Sequence, residues 1–410
     1  MRMKHLPALF TFTAALAIAP ASFGQAQTIS TPSLTLSAAT ASASPYSRFT
    51  PNPTKATRLD FTLWDEILKD MVLYTGPSLR QRASQPSPVV GSRMTFGHTS
   101  PIRLEGNKVL FEGIDDDFKT MLDIYVEDLV DIGNRIDLAS IPQDAQLSYW
   151  MNLHNILVIQ GIAENYPISS PSRIKGADGL GFHDTKRITI DGVPLSLRNI
   201  RQDIVYANWS NPLVIYGFFH GDLGSPSIQR KAFTADTVWD TLRFSGTEFA
   251  NSLRGFIVYG DKPQISRHYE DAAPYFFAND FNAQVRRHMG ALLNPEVKEE
   301  FDKATAVVKV ARYEDDVADM TKGTNDRIQL GSVRTLDPLG GTREVSSTLA
   351  RAIQETGEKM TKIRRRGLFG TVTIEDIQTV PEEDRLSSGL SIEMELPETG
   401  TEQSSDDPAE

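Results

Sequence analysis

The chain has 410 residues, 40% of them hydrophobic and 23% charged, which is enough apolar content for a buried core in one large or two ordinary domains. It contains no cysteine, so disulfides, thiolate catalysis and thiolate metal sites are excluded. A formal net charge of −11 argues against general nucleic-acid binding, or adhesion to anionic lipid, through bulk charge.

At the N-terminus, "MRMKHLPALFTFTAALAIAPASFGQAQ" places Arg2 and Lys4 ahead of an apolar stretch from Leu6 to Ala19, followed by small residues. This is the layout of a secretory signal peptide over residues 1–26, and the apolar stretch falls short of the ~20 residues of a spanning helix. A cysteine-free exported chain fits a bacterial periplasmic or secreted protein, with no transmembrane segment after cleavage. Residues 27–57 are rich in Ser, Thr, Ala and Pro and read as a flexible linker.

Folded character begins at "LDFTLWDEILKDMVLY", where Trp64, Ile67, Leu68, Met71 and Val72 recur at helical spacing. A Pro/Gly/Ser-rich loop follows, then the amphipathic helix "FKTMLDIYVEDLVDIGNRID". The next segment, "AQLSYWMNLHNILVIQGIAENYP", is apolar around most of its circumference yet holds Asn152, His154 and Asn155. It is predicted as a buried helix, capped near Ser140 with Pro142 in its first turn and ended before Pro167. "GADGLGFHD" has the glycines of a lid or a plain surface loop. "KRITIDGVPLSL" alternates and turns at Asp191-Gly192, a hairpin signal.

"LRNIRQDIVYANW" is helical, and "PLVIYGFFHG", bounded by Pro and Gly, is predicted as a buried strand. "ADTVWDTLRFSGTEFANSL" returns to helix, "GFIVYGDKPQIS" reads as a strand pair, and "DFNAQVRRHMGALL" and "PEVKEEFDKATA" as helices. "VVKVARYEDD" closes the domain as a strand. Helices interleave with short strands and hairpins without a strand–helix repeat, which favours α+β over a doubly wound sheet. Residues 321–380 form an extension with one helix from about Arg343 to Arg364 and a small strand in "GTVTIEDIQTV". From Pro381 to Glu410 there are ten acidic residues and one basic one, Arg385, the composition of a disordered acidic tail.

Five ordered pieces resemble one family, the domain of unknown function DUF547, over residues 58–320. "LWDEILKDMV" resembles its entry helix and "YWMNLHNILVIQG" its Phe-Trp-Ile-Asn-x-Tyr-Asn-Ala pattern. "PLSLRNIRQDIV" resembles the opening that usually reads Leu-x-x-Ile-Glu-His, and "VIYGFFHGDLGSPSI" the segment that often reads Ala-Leu-x-Cys-Gly-x-x-Ser-Cys-Pro. "VVKVARYEDDVADM" resembles the closing Tyr-Asp-Trp strand. The resemblance suggests hydrolase-like cysteine–histidine chemistry in members, and this chain departs from it at those positions. The recurrent Glu-His falls on Arg201 and Gln202, the two cysteines on His220 and Ser225, and Tyr-Asp-Trp on Tyr313, Glu314 and Asp315.

Two readings follow. In the first, the fold serves a non-catalytic binding or scaffold protein with an unidentified protein or small-molecule partner. Asn152 and Asn155, three residues apart on one helix face, then clamp backbone groups, with Trp150, His154 and Asp222 as structural or binding residues. In the second, a hydrolase acts on peptide, amide or ester bonds with Ser225 as nucleophile, His220 as base and Asn152 or Asn155 orienting it. His154, His183, His220, His268 and His288 are scattered without metal-ligand spacing, and no phosphate loop or dinucleotide fingerprint occurs, so neither metal nor cofactor is expected.

Overall fold

A computed structural model describes residues 44–86, 97–311, 313–324, 332–336 and 342–368. From Pro45 onward they belong to one unit. Helix α1 (Thr62–Met71) buries Trp64, Ile67, Leu68 and Met71, the stripe its spacing predicts. It runs into β1 (Val72–Leu73), which pairs antiparallel with β2 (Lys108–Val109). Helix α2 (Asp116–Arg135) starts at Asp115, whose carboxylate accepts the Phe118 N–H at 2.9 Å.

Helix α3 (Gln143–Glu164) is the centre of the core, and every residue from Ala145 to Ile159 is buried. An all-round apolar helix has no solvent face, so each polar side chain on it must find a protein partner. Tyr149 Oη donates to the Leu129 carbonyl of α2 at 2.7 Å, and Gly133 of α2 leaves the room that this phenol needs. Asn152 holds both sides of one residue, donating to the Phe233 carbonyl at 2.8 Å and accepting its N–H at 3.0 Å. Asn155 donates to the Gly217 carbonyl at 2.9 Å and accepts the Phe219 N–H at 3.0 Å. Trp150 is core, edge-on to Phe49 and Tyr149 with ring centroids 5.1 Å apart in each pair.

The hairpin β3 (Lys186–Ile190) and β4 (Val193–Ser196) turns at Asp191 and Gly192 with φ of 47° and 74°, the left-handed pair that an Asp-Gly turn supplies. A π-helical segment, Asn199–Tyr206, follows. Helix α4 (Val238–Ala250) leads to a three-stranded sheet in which β5 (Phe256–Tyr259) pairs antiparallel with β6 (Lys262–Ile265). Helices α5 (Arg267–Phe276), α6 (Phe281–Gly290) and α7 (Pro295–Lys303) precede β7 (Lys309–Val310), which returns parallel to β6. The hairpin of β8 (Ser332–Leu336) and β9 (Thr342–Ser346) leads into helix α8 (Ser347–Arg365). Short strand pairs among many helices make the fold α+β. Among the described residues no helix is long and apolar enough to cross a membrane.

Several sequence expectations need correction. Residues 45–55, assigned to the linker, pack on the fold: Pro45–Phe49 is a 3-10 helix, Phe49 is buried against Trp150, and Asn52 and Thr54 donate to the Ala139 and Ser140 carbonyls. "PLVIYG" is not a strand but a 3-10 helix, Pro212–Gly217. Asn211 accepts the Leu213 N–H at 3.0 Å at its start, and a run apolar on every side does not distinguish strand from buried helical turn. Ser140 does not cap α3; its hydroxyl donates to the Asp137 carbonyl at 2.6 Å. Helix α5 escaped the sequence reading because Pro274 lies inside it.

The closing strand shrinks to two residues, and the C-terminal helix begins at Ser347 because residues 342–346 are strand. That helix is seated on the fold by a bidentate Arg103–Glu355 pair at 2.9 and 3.0 Å and by Lys359 Nζ on the Leu104 carbonyl at 2.6 Å. The signal segment, the small strand in "GTVTIEDIQTV" and the acidic tail lie outside the described residues.

Asn152→Ala leaves the Phe233 N–H and carbonyl buried without partners, so it is expected to destabilise the fold by about 2–4 kcal/mol in urea unfolding. A loss under about 0.5 kcal/mol, the range of ordinary surface substitutions, would show that the clamp contributes nothing.

Candidate binding cavity

The segment that follows the 3-10 turn is "FFHGDLGSPS", and two devices fix it. Asn155 of α3 holds Phe219, and residues 221–224 run beside 314–318. Leu223 donates to the Asp316 carbonyl at 2.9 Å, Gly224 to Glu314 at 2.8 Å, and Ala318 to Gly221 at 2.9 Å. Gly221 sits at φ +90° close to Ile162 and Val158 of α3, a backbone conformation that strains any residue with a side chain. This arrangement sets His220 and Asp222 at the edge of a cavity of about 490 Å³.

The other walls come from distant parts of the sequence. His183 enters from the end of the "GADGLGFHD" loop, Arg201 from the π-helical segment, His268 from the first turn of α5, and Tyr313 from the chain after β7. Arg201 points inward because Leu197, Ile204 and Val205, four before and three and four after it, are all buried with it. Four of the scattered histidines therefore form one group. Ring centroids lie 5.4 Å apart for His183 and His220, 5.3 Å for His220 and His268, and 6.5 Å for His154 and His220.

The hydrogen bonds assign proton positions in this group. Arg201 Nη1 donates to His154 Nε2 at 2.9 Å and to His183 Nδ1 at 3.2 Å, so both nitrogens are bare acceptors. His154 then carries its proton on Nδ1, which donates to Asn155 Oδ1 at 3.1 Å. His268 Nε2 donates to the Ile215 carbonyl at 3.0 Å, which leaves its Nδ1 bare, buried and without a partner. His220 Nε2 is also buried without a partner, while its Nδ1 lies 3.4 Å from Tyr313 Oη. Tyr313 Oη donates to Asp222 Oδ1 at 2.9 Å.

Burial dominates the electrostatics. It pushes His154, His183 and His220 well below the ordinary histidine value, and the Arg201 cation beside them pushes in the same direction. Burial takes His268 down to about 3, against the hydrogen bond to Ile215. The same desolvation pushes Asp222 up to about 7, partly offset by the Tyr313 hydrogen bond. Arg201 is thus a buried cation among neutral rings, and no carboxylate pairs with it among the described residues. The other two arginines of the walls do have acid partners, Arg198 with Asp184 and Arg267 with Asp271.

Ser225 is not part of this cavity. It is 0% exposed, its hydroxyl donates to the Asp222 carbonyl at 3.1 Å and accepts the His220 N–H at 3.3 Å, and no bond joins it to the His220 ring. Its carbonyl accepts from Arg254 Nη1 at 2.8 Å, and Arg254 is itself paired with Glu248 at 2.5 Å. Asn152 spends its amide on the Phe233 backbone, and Asn155 on the Gly217 and Phe219 backbone and the His154 ring. Of the residues singled out from sequence, His220 and Asp222 meet at the cavity, while Trp150 and Ser225 lie in the core. Arg201, His183 and His268 were not singled out as site residues. For Arg201 the signal was present, a cation sharing a helix face with Leu197, Ile204 and Val205. Among the described residues no group of three or more His, Asp or Glu has metal-holding geometry.

Comparison with known proteins gives one match. Residues 138–250 match the family model described as "Protein of unknown function, DUF547", a span that runs from the turn before α3 to the end of α4 and includes Arg201, His220 and Ser225. His268 and Tyr313 lie beyond it. No curated protein and no solved structure matches the chain.

The two kinds of buried group act on stability with opposite signs. Histidines neutral in the fold are protonated first in the unfolded chain, so they cost stability as pH falls from 6.5 towards the folded values of about 3 for His268 and about 4 for His288. Asp222 binds its proton more tightly folded than unfolded. Its contribution is full below the unfolded value of 3.8 and is lost as pH rises through about 7. Acidification from pH ~7 to ~4 should therefore lower unfolding free energy, and lower it more steeply in Asp222→Asn, where the offset is gone. Equal slopes in urea titrations of the two proteins would contradict the shift at Asp222.

Proposed function

We propose that this chain, with its DUF547 segment at residues 138–250, is an exported, non-catalytic binding protein whose cavity takes a small polar ligand. The observation that carries this reading is the division between the two halves of "HGDLGSPS". His220 and Asp222 face a cavity of about 490 Å³, within the size range of small-molecule sites, while the Ser225 hydroxyl is spent on backbone and sealed from it. A serine nucleophile needs a base in hydrogen-bond reach and a path to the substrate, and Ser225 has neither arrangement. The polar lining of that cavity, with His183, Arg198, Arg201, His220 and Asp222, suits recognition of a polar ligand. Export rests on the N-terminal segment, with its two basic residues and its apolar stretch of sub-membrane length.

A fluorophosphonate probe is expected to leave the native protein unlabelled. Labelling that disappears in Ser225→Ala would restore the hydrolase reading in place of this one. Intact-mass measurement of the protein recovered from a bacterial periplasm or medium is expected to show a chain beginning near Gln27, and a full-length chain retained in the cytoplasm would remove the exported part of the proposal.

A further inference from the structure

The cavity has a chemical preference that its size alone does not give. Of the nitrogens of Arg201, Nη1 is fully used, one N–H on His154 and the other on His183. Its Nε and Nη2 have no hydrogen-bond partner among the described residues, and they are not sealed in the way that the orphaned nitrogens of Arg254 and Arg187 are. They therefore border the open space, since Arg201 lines the cavity. The Nε–Nη2 edge is one of the two edges on which a guanidinium receives both oxygens of a carboxylate side by side.

Three further features point the same way. The residue as a whole is 6% exposed, so this cation has lost most of its hydration, and no carboxylate pairs with it among the described residues. The imidazoles that hold Nη1 fix the plane of the guanidinium, so the free edge has a set direction. The rings of His220 and His268 stand on the same cavity wall, 5.3 Å apart by centroid, where the rest of a ligand can pack. Nearby acids do not fill the role. Asp315 accepts from Ser170 and Ser172 at 3.2 and 3.1 Å, Asp271 faces Arg267, and Asp222 accepts from Tyr313.

We propose that the cavity binds a small carboxylate, its two oxygens chelated by the Nε–Nη2 edge of Arg201 and the remainder of the molecule set against His220 and His268. This rests on the binding reading above and specifies the class of ligand. Arg201 is then the anchor of the site, and the His220 and His268 rings bound the space left for the rest of the carboxylate.

The test is calorimetric titration and thermal unfolding of the full chain with matched pairs, benzoate against benzamide and succinate against succinamide, together with inorganic phosphate. The expected result is a saturable response to at least one carboxylate, weaker by about tenfold or more for its neutral amide. Arg201→Lys keeps a cation beside the imidazoles but loses the planar edge, and it should weaken carboxylate binding by about the same factor while its unfolding transition stays cooperative. Equal binding of acid and amide, an unchanged response in Arg201→Lys, or binding of phosphate with none of carboxylates overturns the carboxylate assignment but leaves a ligand-binding cavity. No response to any probe overturns the carboxylate assignment and counts against the binding reading as well.

Discussion

A helix buried on every side must dispose of its polar groups inside the protein, and one atom of α3 links that task to the cavity. Asn155 Oδ1 accepts the Phe219 N–H at 3.0 Å and the His154 Nδ1–H at 3.1 Å. The first bond fixes the strand of chain that carries His220 and Asp222. The second fixes the tautomer of His154, and with it the bare Nε2 that receives Arg201. The Asn155 amide therefore joins scaffold and cavity, beside the pairing of residues 221–224 with 314–318, and Asn152 performs a parallel task at Phe233 one turn earlier in the helix.

The consequence is an unusual electrostatic composition. A low-dielectric interior disfavours every charged form, and the neutral rings around Arg201 comply. Arginine keeps its proton even when desolvation lowers its affinity for it, so the charge stays in the cavity, with imidazole nitrogens as its hydrogen-bond partners among the described residues. Under the binding reading proposed above, such a site is costly without a ligand and favourable with an anion.

Much of the scaffold was legible in the sequence. The stripes of α1 and α2, the Asp-Gly hairpin and the buried character of α3 follow from spacing and turn chemistry. What misled was local ambiguity. "PLVIYG" is apolar on all sides and so has no period to separate strand from helical turn, and Pro274 masked α5. The packing of residues 45–55 depends on Phe49 finding Trp150, a contact about one hundred residues away that no local pattern in a Ser/Pro-rich segment reveals. For the cavity, His220 and Asp222 stood out, but His183, Arg201 and His268 come together only through the tertiary fold. Ser225 looked reactive by sequence proximity to His220, whereas the turn spends its hydroxyl on the backbone.

The protonation state of the histidine group tests this account most directly. In long-range proton–nitrogen spectra of the histidine-labelled protein near pH ~6, where an ordinary histidine is mostly charged, His154, His183, His220 and His268 should all remain neutral. His154 should carry its proton on Nδ1, and His183 and His268 on Nε2. An imidazolium signal at His154 or His183, or the opposite tautomer at His154, would contradict the account, because neither leaves an acceptor for Arg201.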